Sequence, residues 1–365
     1  MRLRPSHISP LSSPRLLLPF CPLLPRHRSP SPFSPLHTSL YPVHTHTRGY
    51  NYAYGKQGKH ALRMASTRRL PECWGHRGAS SAYPENTLAS FSAAMQDGAD
   101  GIESGSSFFP NFRVTHTPLD RTTNGAGLIS QQNWYGPDGM EHLRTVKEPR
   151  QSIPTFEETI ALLMKPENTH VKFNIDVKPH NDPTTLFSNM HAILSAQPSW
   201  ETTLAPRLLL GLWHPKFLAP AKKLLPYCRR SYIGADTTMA RRYFWDDVEV
   251  FSMLFASLAT ADGEAFRAEC RHSNKKLLVW TVNDPLCMME AVRWDVDGIL
   301  TDVTHTWLSL RNALRADYDA IAARHSRWFL WTGVEYYSAV RWVRCWANRA
   351  SLESVAGPFK SVRLQ

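Results

Sequence analysis

The chain has 365 residues, of which 42% are hydrophobic and 20% charged, as is typical of a soluble globular core. Eleven of its 42 Lys and Arg residues lie within residues 1–71, which contain no Asp or Glu, and they account for the net charge of +11. The rest of the chain is formally neutral, which argues against a nucleic-acid partner. No apolar run approaches the roughly 20 residues that a membrane-spanning helix needs.

Residues 1–63 are predicted to be a disordered, basic tail rich in Pro and Ser. Ten prolines fall before residue 43, and no helical or strand period is present. Such a segment cannot bury enough apolar surface to offset the entropy of ordering it. One interpretation is a mitochondrial transit peptide, although the prolines oppose the amphipathic helix that a transit peptide forms. The other is that Met64 is the true start of the protein.

From Cys73 onward, short apolar runs alternate with amphipathic stretches of 10–15 residues, the pattern of repeated βα units. We predict that residues 64–318 form an α/β fold, a TIM-type (β/α)8 barrel with its active site at the C-terminal ends of the strands. The region after the second strand departs from the pattern. The strand candidates are CWGHRG, ADGIES, HVKFNIDVK, RLLLGLW, RRSYIGA, VEVFSMLFASL, KLLVWTVN and DGILTD.

The first strand candidate ends in His76 and Arg77, next to a glycine. This pair sets a titratable proton carrier beside a fixed cation, as cleavage of a phosphodiester requires. A His-Arg pair taken alone is also compatible with an ordinary surface pair.

Five motifs then occur in order between residues 73 and 318: HRGASSAYPENTLASF, LDRTTNGAG, FNIDVK, VWTVN and GILTD. Together they resemble the glycerophosphodiester phosphodiesterase family, whose members have a barrel of the phospholipase C-like phosphodiesterase type. The stretches WYGPDGMEHLRT and LLGLWHPKFL are most similar to the fungal branch that includes phosphatidylglycerol-specific phospholipase C. The resemblance implies hydrolysis of a glycerophosphodiester or a glycerophospholipid.

The resemblance also implies a site for a divalent cation, Mg²⁺ or Ca²⁺. Glu103 matches a metal-ligating carboxylate, and Asp176 stands where the family usually has Glu, as a second ligand. Lys178 matches a phosphate-facing lysine. Because residues 176 and 178 are two apart on a strand, both side chains should face the barrel mouth. Oxygen ligands suit Mg²⁺ or Ca²⁺ better than zinc.

For the chemistry, the resemblance implies that His76 is one of two catalytic histidines and that Arg77 contacts the phosphate. Trp280 and Asn283 are expected to line the glycerol side of the pocket, although Trp280 is equally interpretable as a barrel-core aromatic. In the family, a glycerol hydroxyl attacks phosphorus first, and water then opens the resulting cyclic phosphate.

The pattern breaks between Ser104 and Pro118. The family has a second carboxylate two residues after Glu103, where this chain has Gly105. The second catalytic histidine aligns with Thr115, so His116 is out of register by one residue. His116 is nevertheless the candidate for the second catalytic histidine, acting with His76 as acid and base if the loop shifts by that one residue. Residues 104–118 are interpreted as a mis-joined exon or a retained intron in the coding sequence. If they are real, the alternative is a catalytically impaired member that binds lipid or membrane.

Residues 319–365 form a separate segment rich in aromatic residues and Arg. Its residues 327–346 suit the headgroup layer of a membrane, or else a helix that packs on the barrel wall. The six cysteines are scattered, which indicates reduced thiols and an intracellular protein, with membrane association or a mitochondrial location left open.

Overall fold

The computed structural model describes residues 68–105, 118–333 and 336–360, so that the predicted tail and His116 lie outside it. Eight parallel strands pair in chain order and close into a barrel, which confirms the predicted fold class. The strands are β1 Glu72–His76, β2 Gly101–Gly105, β3 Lys172–Val177, β4 Leu208–Leu212, β5 Arg229–Gly234, β6 Val250–Leu254, β7 Lys276–Trp280 and β8 Gly298–Thr301.

Helices surround the barrel and continue beyond it. Within the described ranges no helix has both the length and the apolar character required to cross a bilayer. The helices are α1 Leu88–Asp97, α2 Phe156–Met164, α3 Pro183–Ser195, α4 Trp200–Thr203, α5 Leu218–Leu224, α6 Thr237–Met239, α7 Phe255–Leu258, α8 Ala261–His272, α9 Pro285–Arg293, α10 Thr304–Ala316, α11 Tyr318–Ala323, α12 Phe329–Thr332 and α13 Ser338–Ala356.

Local sequence signals set the ends of the first barrel helices. α1 begins at a capping box in which Thr87 and Ser90 bond each other's backbone N–H groups. It ends at Gly98, whose φ of 95° lies in the left-handed region that glycine adopts without a steric penalty. α2 begins at a second capping box, formed by Thr155 and Glu158. These caps place both helices directly after the loops of the barrel mouth.

The lower part of the barrel is filled by side chains that point inward from several strands. Trp74 packs there with Leu209, Val250, Leu278 and Leu300. Gly101 and Gly298 make room for the indole, because a Cβ at Gly101 would lie 2.5 Å from the Trp74 ring. This layer of side chains makes the barrel interior a packed core and separates a cavity of about 120 Å³ at the N-terminal ends of the strands from the one at the C-terminal ends.

Two segments differ from a regular βα repeat. The run VEVFSMLFASL, expected to be one strand, is a strand only over Val250–Leu254 and turns helical at Phe255–Leu258. A continuous apolar run does not mark where a buried strand ends and a buried helix begins. After β2, residues 118–155 contain short 3-10 turns around a small cluster of Leu119, Ile129, Met140 and Ile153.

The C-terminal segment packs against loops at the C-terminal ends of β4, β5 and β6. The Gly357 carbonyl accepts a hydrogen bond from Nε2 of His214, which follows β4, at 3.1 Å. Cys345 Sγ lies 3.4 Å from the carbonyl oxygen of Ala235, which follows β5. Arg341 bonds the hydroxyl of Thr260, beyond β6. α13 therefore lies on the same end of the barrel as the predicted active site.

Candidate functional site

A cavity of about 220 Å³ opens at the C-terminal ends of the strands. It brings together most of the residues predicted from the sequence, which lie on or directly after four strands, β1, β2, β3 and β7. Asn283 lies beside it rather than in its wall. The lining residues are His76, Arg77, Glu103, Asn174, Asp176, Lys178, Trp213, Ile233, Ser252, Trp280 and Leu300.

His76 is held in one orientation by Asp302, which follows β8. The His76 Nδ1–H donates to Asp302 Oδ1 at 2.8 Å, and the Ser80 hydroxyl donates to the same oxygen at 2.7 Å. The other ring nitrogen, Nε2, lies 3.9 Å from Glu103 Oε2. The contact with Asp302 therefore fixes the proton on Nδ1 and leaves Nε2 directed toward the cavity.

Asp302 is an anion over most of the pH range. Burial alone would raise its pKa, but the hydrogen bonds from His76, Ser80 and Asn283 outweigh burial and lower the pKa to about 2. The Asn283 amide contributes the third of these bonds, at 2.7 Å to Oδ2. Sequence reasoning assigned Asp302 no role, although it ends the GILTD motif.

Glu103 is 4% exposed and lies at the base of the His76 side of the cavity. Burial raises its pKa, the charge of Asp176 raises it further, and His76, Lys178 and Arg77 oppose the rise. Its Oε2 accepts the backbone N–H of Arg77 at 3.1 Å. Arg77 has a φ of 60°, an unusual conformation for a residue with a side chain, and it turns this N–H toward the carboxylate.

Asp176 and Lys178 face the cavity from the end of β3, as their spacing predicts. Lys178 Nζ forms an ion pair with Asp176 Oδ2. The other carboxylate oxygen, Oδ1, accepts the indole N–H of Trp213 at 2.6 Å. Trp213 also packs edge-on against Trp280, with ring centroids 5.8 Å apart, so the two indoles form one wall of the cavity. Trp213 was not predicted; its position at the end of a strand candidate was the available signal.

The Arg77 guanidinium is held by Glu85, which belongs to the loop before α1. Arg77 Nη1 lies 3.0 and 3.1 Å from the two carboxylate oxygens, and Arg121 contacts the same carboxylate. Burial raises the pKa of Glu85, but the two arginines outweigh it and lower the pKa below its ordinary value. Two cations around one anion leave a net positive charge at this edge of the cavity.

The carboxylates at the cavity mouth supply some, but not all, of the oxygen ligands that a small divalent cation requires. Glu103 and Asp176 are buried carboxylates, and besides burial the charge of Asp176 raises the pKa of Glu103, an effect that a bound cation would relieve. Two carboxylates completed by water and phosphate oxygens suit Mg²⁺, whereas Ca²⁺ takes 6–8 oxygens. Among the described residues, no group of three or more His, Cys, Asp or Glu is placed to hold a metal ion.

Comparison with known proteins identifies the family. Residues 76–105 and 114–320 match the model of the glycerophosphoryl diester phosphodiesterase family. The chain belongs to that family. It is accordingly a phosphoric diester hydrolase.

Relatives and solved structures agree with this assignment. The glycerophosphodiester phosphodiesterase of Caldanaerobacter subterraneus is 25% identical over 248 residues, which cover 64% of this chain and 95% of that protein. Human glycerophosphodiester phosphodiesterase 1 is 32% identical over 134 residues, 34% of this chain and 39% of the human protein. The crystal structure of the Agrobacterium tumefaciens enzyme shares the fold, with a TM-score of 0.52 at 18% identity, over 67% of this chain and 100% of that one.

Proposed function

We propose that the chain hydrolyses glycerophosphodiesters or glycerophospholipids in a reaction that depends on a divalent cation, as part of lipid metabolism. The observation that carries the proposal is the His76–Asp302 pair, which stands opposite Glu103 in a cavity that Arg77 and Lys178 also line. A phosphodiesterase needs these groups together: a proton carrier, positive charge for the phosphate oxygens, and carboxylates for a metal.

In this proposal His76 is the proton carrier. With Nδ1–H bound to Asp302, Nε2 accepts the proton of the glycerol hydroxyl that attacks phosphorus. The bond from phosphorus to the departing alcohol breaks, that alcohol's oxygen takes up a proton from water, and water then opens the cyclic phosphate. Arg77 and Lys178 stabilise the negative charge that develops on the phosphate oxygens. Glu103 and Asp176 would hold Mg²⁺ or Ca²⁺, which when bound polarises a phosphoryl oxygen as a Lewis acid. Trp280 and Trp213 flank the glycerol part of the substrate.

The test is release of a glycerol phosphate by the purified chain, with Mg²⁺, with Ca²⁺ and with a chelator. We expect His76→Asn to lower kcat by about 10²–10⁴, the usual contribution of a general acid or base. His272→Asn, on an exposed histidine at the end of α8, is the control and should retain full activity. Equal turnover by His76→Asn and the parent chain, or full turnover in the chelator, would refute the proposed chemistry.

The rival proposal is a catalytically impaired member that binds lipid or membrane. It is favoured by Gly105, which stands where the family has a second carboxylate. It is opposed by the buried Glu103 and Asp176 and by the paired His76, which a protein without turnover has no need to keep together. Binding to phospholipid vesicles without product release, in Mg²⁺ and in Ca²⁺, would favour the impaired member.

We also propose that residues 327–346 contact an anionic membrane surface. Residues 327–346 carry three arginines and one glutamate, Glu335, a net positive charge that complements anionic headgroups. Indole rings prefer the interface between headgroups and water. The most exposed large hydrophobic side chains among the described residues of this segment are Trp328 at 78%, Trp331 at 74%, Trp342 at 70% and Trp346 at 63%.

Vesicle flotation tests the membrane contact. Replacing the four exposed tryptophans with Ser should abolish flotation with vesicles of phosphatidylglycerol and phosphatidylcholine. The control replaces two exposed aromatics elsewhere, Tyr135 and Tyr227, with Ser, and should still float. If the tryptophan variant floats like the parent chain, the aromatic segment does not mediate membrane binding.

Two finer assignments complete the proposal. Similarity to the fungal branch that includes phosphatidylglycerol-specific phospholipase C rests on WYGPDGMEHLRT and LLGLWHPKFL, the second of which supplies Trp213 to the cavity wall. Faster cleavage of phosphatidylglycerol than of phosphatidylcholine would support it. An intracellular location is supported by Cys73, Cys228, Cys270 and Cys345, which are free thiols. Cell fractionation would test it.

A further inference from the structure

The cavity of about 120 Å³ at the N-terminal ends of the strands, here called the basal cavity, is strongly charged. Five cations and two anions line it, a net charge of +3, although the chain beyond residue 71 is formally neutral. The excess of positive charge is therefore a local feature of this end of the barrel. All seven residues lie at the start of a barrel strand or just before it: Arg69, Glu72, Lys172, Arg207, Arg229, Lys276 and Asp297.

The two-residue period of a strand brings these side chains into one layer. Glu72 and Lys276 stand two residues before Trp74 and Leu278, so they point to the same side of their strands, into the barrel. Trp74 and Leu278 belong to the packed apolar layer that lies between the basal cavity and the cavity of the candidate site. The Lys276 side chain is 37% exposed, so the basal cavity is accessible to solvent on its other side.

Both anions of the basal cavity are already paired. Glu72 Oε1 accepts a hydrogen bond from Lys172 Nζ at 2.5 Å. Asp297 Oδ1 lies 3.0 Å from Lys276 Nζ and 3.3 Å from Arg69 Nη1. Three cations thus share two carboxylates, and no carboxylate that lines the cavity remains for the other two arginines.

Those two arginines differ in what holds them. The Arg207 guanidinium donates to the backbone carbonyls of Leu163, Asn168 and Val171, which fix its position but carry no net charge to neutralise it. In the part of the chain that the structure describes, no ion pair or hydrogen bond engages the Arg229 guanidinium. Its N–H groups are therefore available to a ligand in the basal cavity.

A cavity with this lining attracts a compact anion. Like charges gathered in a concave site with apolar walls focus a positive potential, and a bound anion relieves their repulsion. A guanidinium presents two parallel N–H groups that match two oxygens of a phosphate, and lysine ammonium groups add charge beside it. The small volume favours a single phosphate group over an acidic peptide or a nucleic acid.

We propose that the basal cavity binds the phosphate group of a small ligand, either inorganic phosphate or a phosphomonoester. Arg229 supplies the hydrogen bonds, and Arg207, Lys172 and Lys276 supply positive charge. The site is independent of the proposed function, because the apolar layer that contains Trp74 separates it from the cavity where His76 lies.

Equilibrium dialysis of radiolabelled inorganic phosphate against the full chain tests the site. We expect Arg229→Gln to bind one equivalent fewer than the parent chain, because loss of the charge-assisted bonds should raise the dissociation constant of this site about tenfold or more. Arg324→Gln, on an exposed arginine that lines neither cavity, is the control and should bind as the parent chain does. Lys178→Gln alters the cavity of the candidate site and should keep the basal equivalent.

Unchanged phosphate binding in Arg229→Gln would overturn the inference. Lys172→Gln lowers the charge of the cavity and leaves Glu72 unpaired, so it should weaken binding in the same way and serves if Arg229→Gln melts at a lower temperature. Displacement of the basal equivalent of Lys178→Gln by sn-glycerol 3-phosphate would identify the ligand as a phosphomonoester, and no displacement would identify it as inorganic phosphate.

Hydrolysis of a glycerophosphodiester separates this inference from the proposed function. Arg229→Gln should retain the parent turnover, because Arg229 touches none of the residues of the candidate site. A chain that binds the basal phosphate but cleaves no diester would refute the proposed function and leave the basal site standing. A chain that cleaves the diester and keeps its phosphate binding in Arg229→Gln would do the reverse.

Discussion

Asp302 acts on the candidate site indirectly, through its hydrogen bond to His76. Its carboxylate bonds His76 and Ser80 on one oxygen and Asn283 on the other, and it does not line the cavity. A histidine that carries protons must present one nitrogen to the substrate and keep the other engaged. Asp302 is therefore a positioning residue, and its removal should affect the chemical step more than substrate binding.

Asp302→Asn tests that role. An amide that replaces the carboxylate no longer favours the proton on His76 Nδ1, so kcat should fall by about 10²-fold or more while KM changes little. Steady-state kinetics on a glycerophosphodiester measures both parameters. Asp246→Asn, on an exposed aspartate remote from the cavity, should match the parent chain. A change confined to KM would instead assign Asp302 to substrate binding.

The lowered pKa of Asp302 makes part of the stability depend on pH. A carboxylate whose folded-state pKa lies below its unfolded value stabilises the fold above the unfolded pKa and loses that contribution as pH falls through the folded one. A shift from 3.8 to about 2 corresponds to about 2 kcal/mol. Urea unfolding should show Asp302→Asn less stable than the parent chain by up to that amount at pH 7. The difference in free energy of unfolding between the two proteins should decrease between pH 4 and pH 2. A difference that stayed constant with pH would show that ionisation of Asp302 is not its source.

At the scale of the element, β2 supplies one carboxylate to the cavity, whereas the resemblance in the sequence implies two. Side chains two apart on a strand share a face, so position 105 lies on the Glu103 side. Ser104 points the other way, where its hydroxyl donates to Asn86 Oδ1 at 3.0 Å. The end of β2 thus offers a backbone position for the second carboxylate without a side chain to fill it.

Gly105→Asp should restore that carboxylate. We expect the variant to reach half-maximal activity at a lower Mg²⁺ concentration, by roughly tenfold, because an additional anionic oxygen strengthens the binding of a hard cation. A Mg²⁺ titration of the rate of hydrolysis measures the change. Ser104→Asp is the control one residue away; it buries a charge on the opposite face and should reduce stability without improving Mg²⁺ use. An unchanged Mg²⁺ requirement in Gly105→Asp would contradict a metal site at this strand end.

The elements of the barrel were predictable because most strands are short apolar runs bounded by loops, and several helices, among them α1, α2 and α3, begin at a residue whose side chain caps them. The strand spacing also predicted that Asp176 and Lys178 share a face. What the sequence did not predict are contacts across the chain. The His76–Asp302 pair spans 226 positions, and Trp213 meets Asp176 across 37. Such pairs depend on barrel closure, which leaves no local pattern in the residues involved.

At the scale of the whole barrel unit, the last described residues pack against a residue next to the cavity wall. Phe359 packs on the His214 ring with centroids 4.5 Å apart, and His214 directly follows Trp213 of the cavity. Burial lowers the pKa of His214, which keeps the ring neutral and able to accept the N–H of Lys216 on Nδ1 while it donates to Gly357. His214 therefore holds the residues that follow α13 and is joined through the chain to Trp213 of the cavity wall.

Phe359→Ala should remove the ring contact with His214 that holds the end of the chain's described part against the loop after β4. Phe359 is 8% exposed, and truncating a buried phenylalanine costs about 3 kcal/mol. Because the lost contacts hold α13 to the loops after β4 and β5, the cost should appear as local opening of this segment and not as unfolding of the barrel. Hydrogen exchange should then quicken in residues 338–356 and stay unchanged in β1 to β3. Val355→Ala, a truncation of a 37% exposed side chain in the same helix, should exchange like the parent chain. If exchange quickened equally across the barrel, α13 would be an integral part of its folding unit, and the aromatic segment could not open independently of the site.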